Sequence, residues 1–158
     1  MATRPAIRTR PGRTAPTSLP RTIARFVLGA FLLFAGTAHL TVARSEFAAQ
    51  VPSWLPLDTN VVVIASGVVE LLLGAALVAL RRYRVVVGWV VAAFFVAIFP
   101  GNIAQYVEGV SAFGLDTDAA RLTRLYFQPV LVLWALWSTG AWRDRAVLSR
   151  TGRNRPRP

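Results

Sequence analysis

The chain contains no cysteine and no lysine, and only one histidine and one methionine. Without cysteine there is no disulfide, no thiolate metal site, no cysteine-attached haem and no Cys-x-x-Cys redox chemistry. One histidine and seven dispersed carboxylates supply too few donors for a transition-metal site, which usually needs several N, S or O ligands. No catalytic set for an independent redox or hydrolytic reaction is present, so the question of enzymic activity leans to no. The lack of lysine, set beside abundant alanine, valine and glycine, matches a GC-rich bacterial genome.

What is present is apolar and basic at once. Hydrophobic residues make up 54% of 158 residues, mean hydropathy is +0.48, and 18 arginines stand against 7 acids for a net charge of +11. The two properties coexist because the charges are segregated into the chain ends and short connections. That pattern describes a multi-span membrane protein of one domain, not a nucleic-acid binder with a basic face.

Residues 1–21 hold five arginines and four prolines with no apolar period, and are expected to be a disordered cytoplasmic tail. The apolar run 22–42 that follows exceeds the ~7–15 residues of a signal-peptide core and reads as a retained first helix. Three more spans are expected at about 60–80, 85–106 and 122–142, each near the ~20 residues that cross ~30 Å of hydrocarbon. The fold class is therefore all-α, a four-transmembrane-helix bundle over 22–142, with residues 143–158 a second disordered basic tail. Pro100 falls near the outer end of the third span and bends it. Trp54, between Pro52 and Pro56, reads as an interfacial anchor.

Arginine asymmetry sets the orientation. The N-tail, the 81–84 turn and the segment after Trp142 hold five, three and six arginines. The first and third connections hold one each, balanced by acids. Alternating spans place the three basic segments on one side, so both termini are expected in the cytoplasm of a bacterial cell whose plasma membrane holds the protein. The tails most simply fix topology and attract anionic lipid; binding of nucleic acid is not expected.

Glu70 lies ten residues into the apolar run Val61–Leu80. A charge at the centre of a span costs roughly 2.5–3.5 kcal/mol on insertion scales, so it needs a partner or a use. The other intramembrane polar residues, His39, Asn102, Gln105, Arg124 and Gln128, also fall in the outer half, while the inner half is almost purely apolar. They form a tentative ligand or proton site, or a buried structural knot. Gly67, Glu70 and Gly74 share one helix face, and small residues let helices approach closely. Arg124 is the expected partner of Glu70, because its long side chain reaches inward; alternatively, desolvation keeps Glu70 neutral. Asn102 and Gln105 are expected to satisfy backbone groups freed by Pro100, Gln128 to bond between helices, and the aromatics to pack.

Gly36-Thr37-Ala38-His39, Phe47, Val51-Pro52-Ser53-Trp54-Leu55-Pro56, Ser66-Gly67-Val68-Val69-Glu70, Phe99-Pro100-Gly101-Asn102 and Arg124-Leu125-Tyr126-Phe127-Gln128 stand in the order in which similar motifs occur in the DoxX-like family of small bacterial membrane proteins. The chain resembles that family over about 22–142. The resemblance implies a four-helix membrane bundle. Some members are subunits of thiosulfate:quinone oxidoreductase, and related proteins associate with oxidative-stress enzymes. The function it implies is an accessory or interaction subunit beside an oxidoreductase partner. No resident cofactor is expected, with quinone at the Glu70 pocket as the candidate ligand. Two other functions stay open: a proton-coupled small-molecule transporter acting as a homo-oligomer, and a ligand-free assembly factor.

Overall fold

A computed structural model describes residues 16–145. Among these residues every regular element is helical: α1 (Leu19–Leu40), the short α2 (Arg44–Ala48), α3 (Thr59–Ala79), a 3₁₀ turn at Arg81–Tyr83, α4 (Arg84–Val107) and α5 (Asp118–Thr139). Of the tails expected at 1–21 and 143–158, residues 1–15 and 146–158 lie outside the described residues. Leu19–Arg21 already belong to α1, because Pro20 fits the first turn, where a backbone N–H has no helical partner. Residues 143–145 form a turn held to the bundle by Asp144.

Local chemistry sets the helix ends. Asp58 caps α3 by accepting from the Val61 N–H at 3.0 Å, and Thr117 caps α5 by accepting from the Ala120 N–H at 3.2 Å. Gly140, at φ +69°, ends α5 in the left-handed conformation, so this helix stops short of the 142 expected from hydropathy. Pro100 lies inside α4 as expected, and Pro129 lies inside α5 as well.

Two antiparallel pairs make the bundle. In the first, Gly29 faces Gly74 and Gly36 faces Gly67, so both helices carry glycines at a seven-residue spacing. A Cβ on Gly36 would lie 2.7 Å from the Gly67 carbonyl oxygen, and one on Gly74 2.8 Å from that of Gly29. The backbones of α1 and α3 therefore touch along a seam where no side chain fits. In the second pair α4 lies along α5. Contacts of α1 with α5 and of α3 with α4 close the ring. Leu28, Leu32, Leu77, Val91, Phe95 and Ala135 fill the centre.

Many large apolar side chains face outward. Phe34 is 75% exposed, and Leu72, Val96 and Leu133 also face outward. Three helical segments, α1, α3 and the turn with α4, are long and apolar enough to cross a membrane. The helix α5 has 22 residues but carries Asp118, Arg121, Arg124 and Gln128, and falls outside that set.

One end of the bundle, the terminal end, holds the start of α1, the 81–83 turn and the end of α5. It is not purely apolar, contrary to the expectation for the inner half. Arg25 and Arg84 are both buried there. Arg84 donates to the Thr139 carbonyl and, at 2.8 Å, to Asp144. The opposite, loop end carries α2 and the 108–117 connection.

Candidate functional site

The site is built at the loop end, beginning with Gly67. With no Cβ there, α1 brings His39 directly over α3; a Cβ on Gly67 would fall 2.8 Å from the His39 Cβ. One helical turn further along α3 stands Glu70. The His39 Nδ1 lies 2.8 Å from Glu70 Oε2 and 3.0 Å from the Ala35 carbonyl oxygen. Both residues are buried, at 8% and 5% exposure. The Nδ1–H is directed at the Ala35 carbonyl, so Oε2 sits at ion-pair distance yet accepts no hydrogen bond of good geometry. The single Nδ1–H serves the carbonyl and leaves the carboxylate oxygen without a donor. A buried acceptor left without a donor costs about 1–3 kcal/mol, and a proton on the carboxyl or a ligand donor removes that cost.

Aromatic rings cover the pair. Phe47 of α2 stacks on the His39 ring at 3.3 Å between centroids and 15° between planes. Phe113 meets Phe47 edge-on at 4.6 Å. The Phe113 backbone is left-handed at φ +56°, a conformation unusual outside glycine, and its N–H donates to Glu46 Oε2 at 2.5 Å. Ser53 donates to Glu108 at 3.1 Å. The two loop-end connections are thus fastened to each other above His39.

Beyond Phe113 lies a second polar group. The Arg124 guanidinium stands 5.3 Å from the centre of the Phe113 ring and donates to Gln50 Oε1 at 2.8 Å and Gln105 Oε1 at 3.4 Å. The expected Glu70–Arg124 pair is therefore not formed: Glu70 meets His39, and Arg124 meets two neutral amides. The reason is register, since the glycine seam puts His39 beside Glu70 while α5 packs chiefly on α4. The Gln50 Nε2 is buried without an acceptor.

A third group lies between α4 and α5. Asn102 Nδ2 donates to Gln128 Oε1 at 2.9 Å, and Gln128 Nε2 donates to the Phe95 carbonyl. Gln128 makes the interhelical bond expected of it. Asn102 and Gln105 do not repair the break at Pro100: Asn102 bonds Gln128, and Gln105 Nε2 bonds the Val110 carbonyl at 3.3 Å. The six expected residues thus form three small groups, and aromatic rings join the His39–Glu70 group to the Arg124 group. Phe47, Phe113 and Gln50 are members that the polar pattern alone did not mark. Among the described residues no cluster of three metal-ligating side chains occurs.

The fold and site define a small helical protein with apolar outer faces and a buried histidine–glutamate contact. Residues 28–139, from α1 to the end of α5, match the family described as "Domain of unknown function (DUF8561)", and the chain belongs to that family. No curated protein and no solved structure matches the chain.

Proposed function

We propose that the protein is a four-span plasma-membrane protein with cytoplasmic termini, in which Glu70 and His39 form a proton-binding site for a quinone-class ligand serving a membrane redox partner. One observation carries this reading: Glu70 Oε2 is a buried acceptor without a donor, in contact with the only imidazole of the chain. A protonated Glu70 carboxyl can donate to a ligand carbonyl, with the His39 ring beside its Oε2. Phe47 and Phe113 offer ring faces suited to a planar headgroup. The apolar outward residues Phe127, Val130 and Leu133 of α5 support a fourth span despite its two arginines. The resemblance to DoxX-like proteins supports the redox partner.

The test uses protein purified in mild detergent. Its thermal unfolding is followed with and without a short-chain ubiquinone or menaquinone analogue, for wild type and Glu70→Gln. The amide keeps the size of the carboxyl but cannot ionise. The expected result is a ligand-dependent stabilisation of wild type and none of the folded variant. Equal responses in both proteins overturn the site. No response in wild type, with proton uptake still dependent on Glu70, transfers the reading to a proton-coupled transporter; loss of both leaves an assembly factor.

A further inference from the structure

The terminal end carries a buried charge with no hydrogen-bond or ion-pair partner among the described residues. Arg25 sits two turns into α1 and is only 4% exposed, yet its Nη1 has no hydrogen-bond acceptor. Among the described residues, the aromatic ring set against its guanidinium is that of its neighbour Phe26, whose centre lies 4.9 Å away. Its electrostatic neighbours are Arg81 and Arg84, both positive. All seven side-chain carboxylates of the chain lie among the described residues, and the only one at this end, Asp144, is engaged by Arg84 and Arg143. Neither Arg25 nor Arg81 pairs with any of them. A buried cation left uncompensated is strongly destabilising, so this site calls for an anion that the described residues do not supply.

We infer that Arg25, with Arg81 beside it, binds a phosphate group at the terminal end of the bundle. Phosphate suits the site because a guanidinium offers paired N–H donors to two of its oxygens. At ~1.5 Å rise per residue, Arg25 lies about 9 Å along α1 from its first residue, a depth that in a membrane is the boundary between headgroups and acyl chains. Two sources carry this chemistry: the diester of an anionic phospholipid and free inorganic phosphate. The inference is independent of the Glu70 site, which lies at the other end.

The full chain is purified in a nonionic detergent and stripped of lipid. Binding is then measured by native mass spectrometry and thermal unfolding with short-chain phosphatidylglycerol, phosphatidylcholine of the same chains, or inorganic phosphate. Wild type is compared with Arg25→Gln, Arg81→Gln and Arg82→Gln; the last removes an exposed charge from the same turn. Phosphatidylglycerol is expected to bind wild type, with affinity falling about tenfold in Arg25→Gln and by less in Arg81→Gln. Arg82→Gln should stay within about twofold. Comparable binding of inorganic phosphate, equally sensitive to Arg25, assigns the site to the free ion. Equal losses in Arg25→Gln and Arg82→Gln indicate diffuse attraction to a basic surface and overturn the inference, as does binding that ignores Arg25. Should Arg25→Gln fail to fold, Arg81→Gln decides: binding equal to that of Arg82→Gln overturns the inference.

Discussion

The carbonyl oxygen of Gly67 occupies the space that a Cβ on Gly36 would need, at 2.7 Å, and Leu71 blocks the alternative direction at 2.9 Å. The obstacles include backbone, so rotamer changes cannot relieve the clash. Gly36→Ala should separate α1 from α3 and cost about 1–3 kcal/mol. Thermal unfolding in detergent checks this. An unchanged midpoint would remove the glycine seam as the element that sets helix register.

The same seam governs the histidine–glutamate contact. Gly67→Ala should displace His39, whose Cβ stands 2.8 Å from the new methyl position. Because His39 is the neighbour of Glu70, Gly67→Ala and His39→Ala should be non-additive: once one has broken the contact, the other has less to remove. A double-mutant cycle on the unfolding midpoint measures this. Strict additivity would separate the seam from the site.

Gln128 joins Asn102 to the Phe95 carbonyl across the α4–α5 interface. Gln128→Leu leaves a buried donor and a buried acceptor unsatisfied, at about 1–3 kcal/mol for each. Adding Asn102→Leu removes the orphaned donor and should recover part of the loss. A double variant no better than the single one would mean that Asn102 finds another partner.

The boundaries of the long helices were readable to within a few residues, because apolar runs and capping residues are local features. Glu70 was readable as a costly residue for the same reason. Its partner was not. Choosing Arg124 relied on the reach of a long side chain, whereas register decides which residues meet. The register of α1 on α3 was in fact present in the glycines, spaced seven apart at 29 and 36 and again at 67 and 74. Phe47 and Phe113 were harder to foresee. They reach His39 and Arg124 through connections whose paths depend on tertiary contacts such as Glu46 with the Phe113 N–H. Arg84 read as a topology signal of the 81–84 turn, Arg25 fell inside the first apolar span without being marked, and nothing local announced the burial of either.

Asp144 gives a dependence on pH. Burial pushes its carboxyl up, but hydrogen bonds and charge attraction from Arg143 and Arg84 outweigh that and hold it below its ordinary value. A depressed folded pKa means stability present above the unfolded value, near 4, and lost as pH falls through the folded one. Wild type should therefore exceed Asp144→Asn in unfolding midpoint at neutral pH, and the gap should close in acid. A gap that stays constant down to the acid limit would show that the carboxylate charge is not its source.

Sidedness and the fourth span can be tested together, because the chain has no cysteine and any single one introduced is the sole label. Arg82, Asp116 and Arg145 are exposed and lie respectively at the 81–83 turn, in the connection before α5 and just after it. Cysteine at each position is probed with an impermeant thiol reagent on intact cells, and again after lysis. If all four long helices cross and the basic end is cytoplasmic, position 116 labels in intact cells, while 82 and 145 label only after lysis. Labelling of 82 in intact cells would reverse the orientation. Labelling of 145 together with 116 would mean that α5, with Arg121 and Arg124 on it, lies along the surface instead of crossing. That outcome is the sharper risk, because α5 falls outside the set of helices apolar enough to cross on their own. Its polar side chains must be buried against α4 and the loop end for the crossing to be tolerated. The contacts made by Arg121 with the Leu115 carbonyl, by Arg124 with Gln50 and by Gln128 with Phe95 are the arrangement that would permit it.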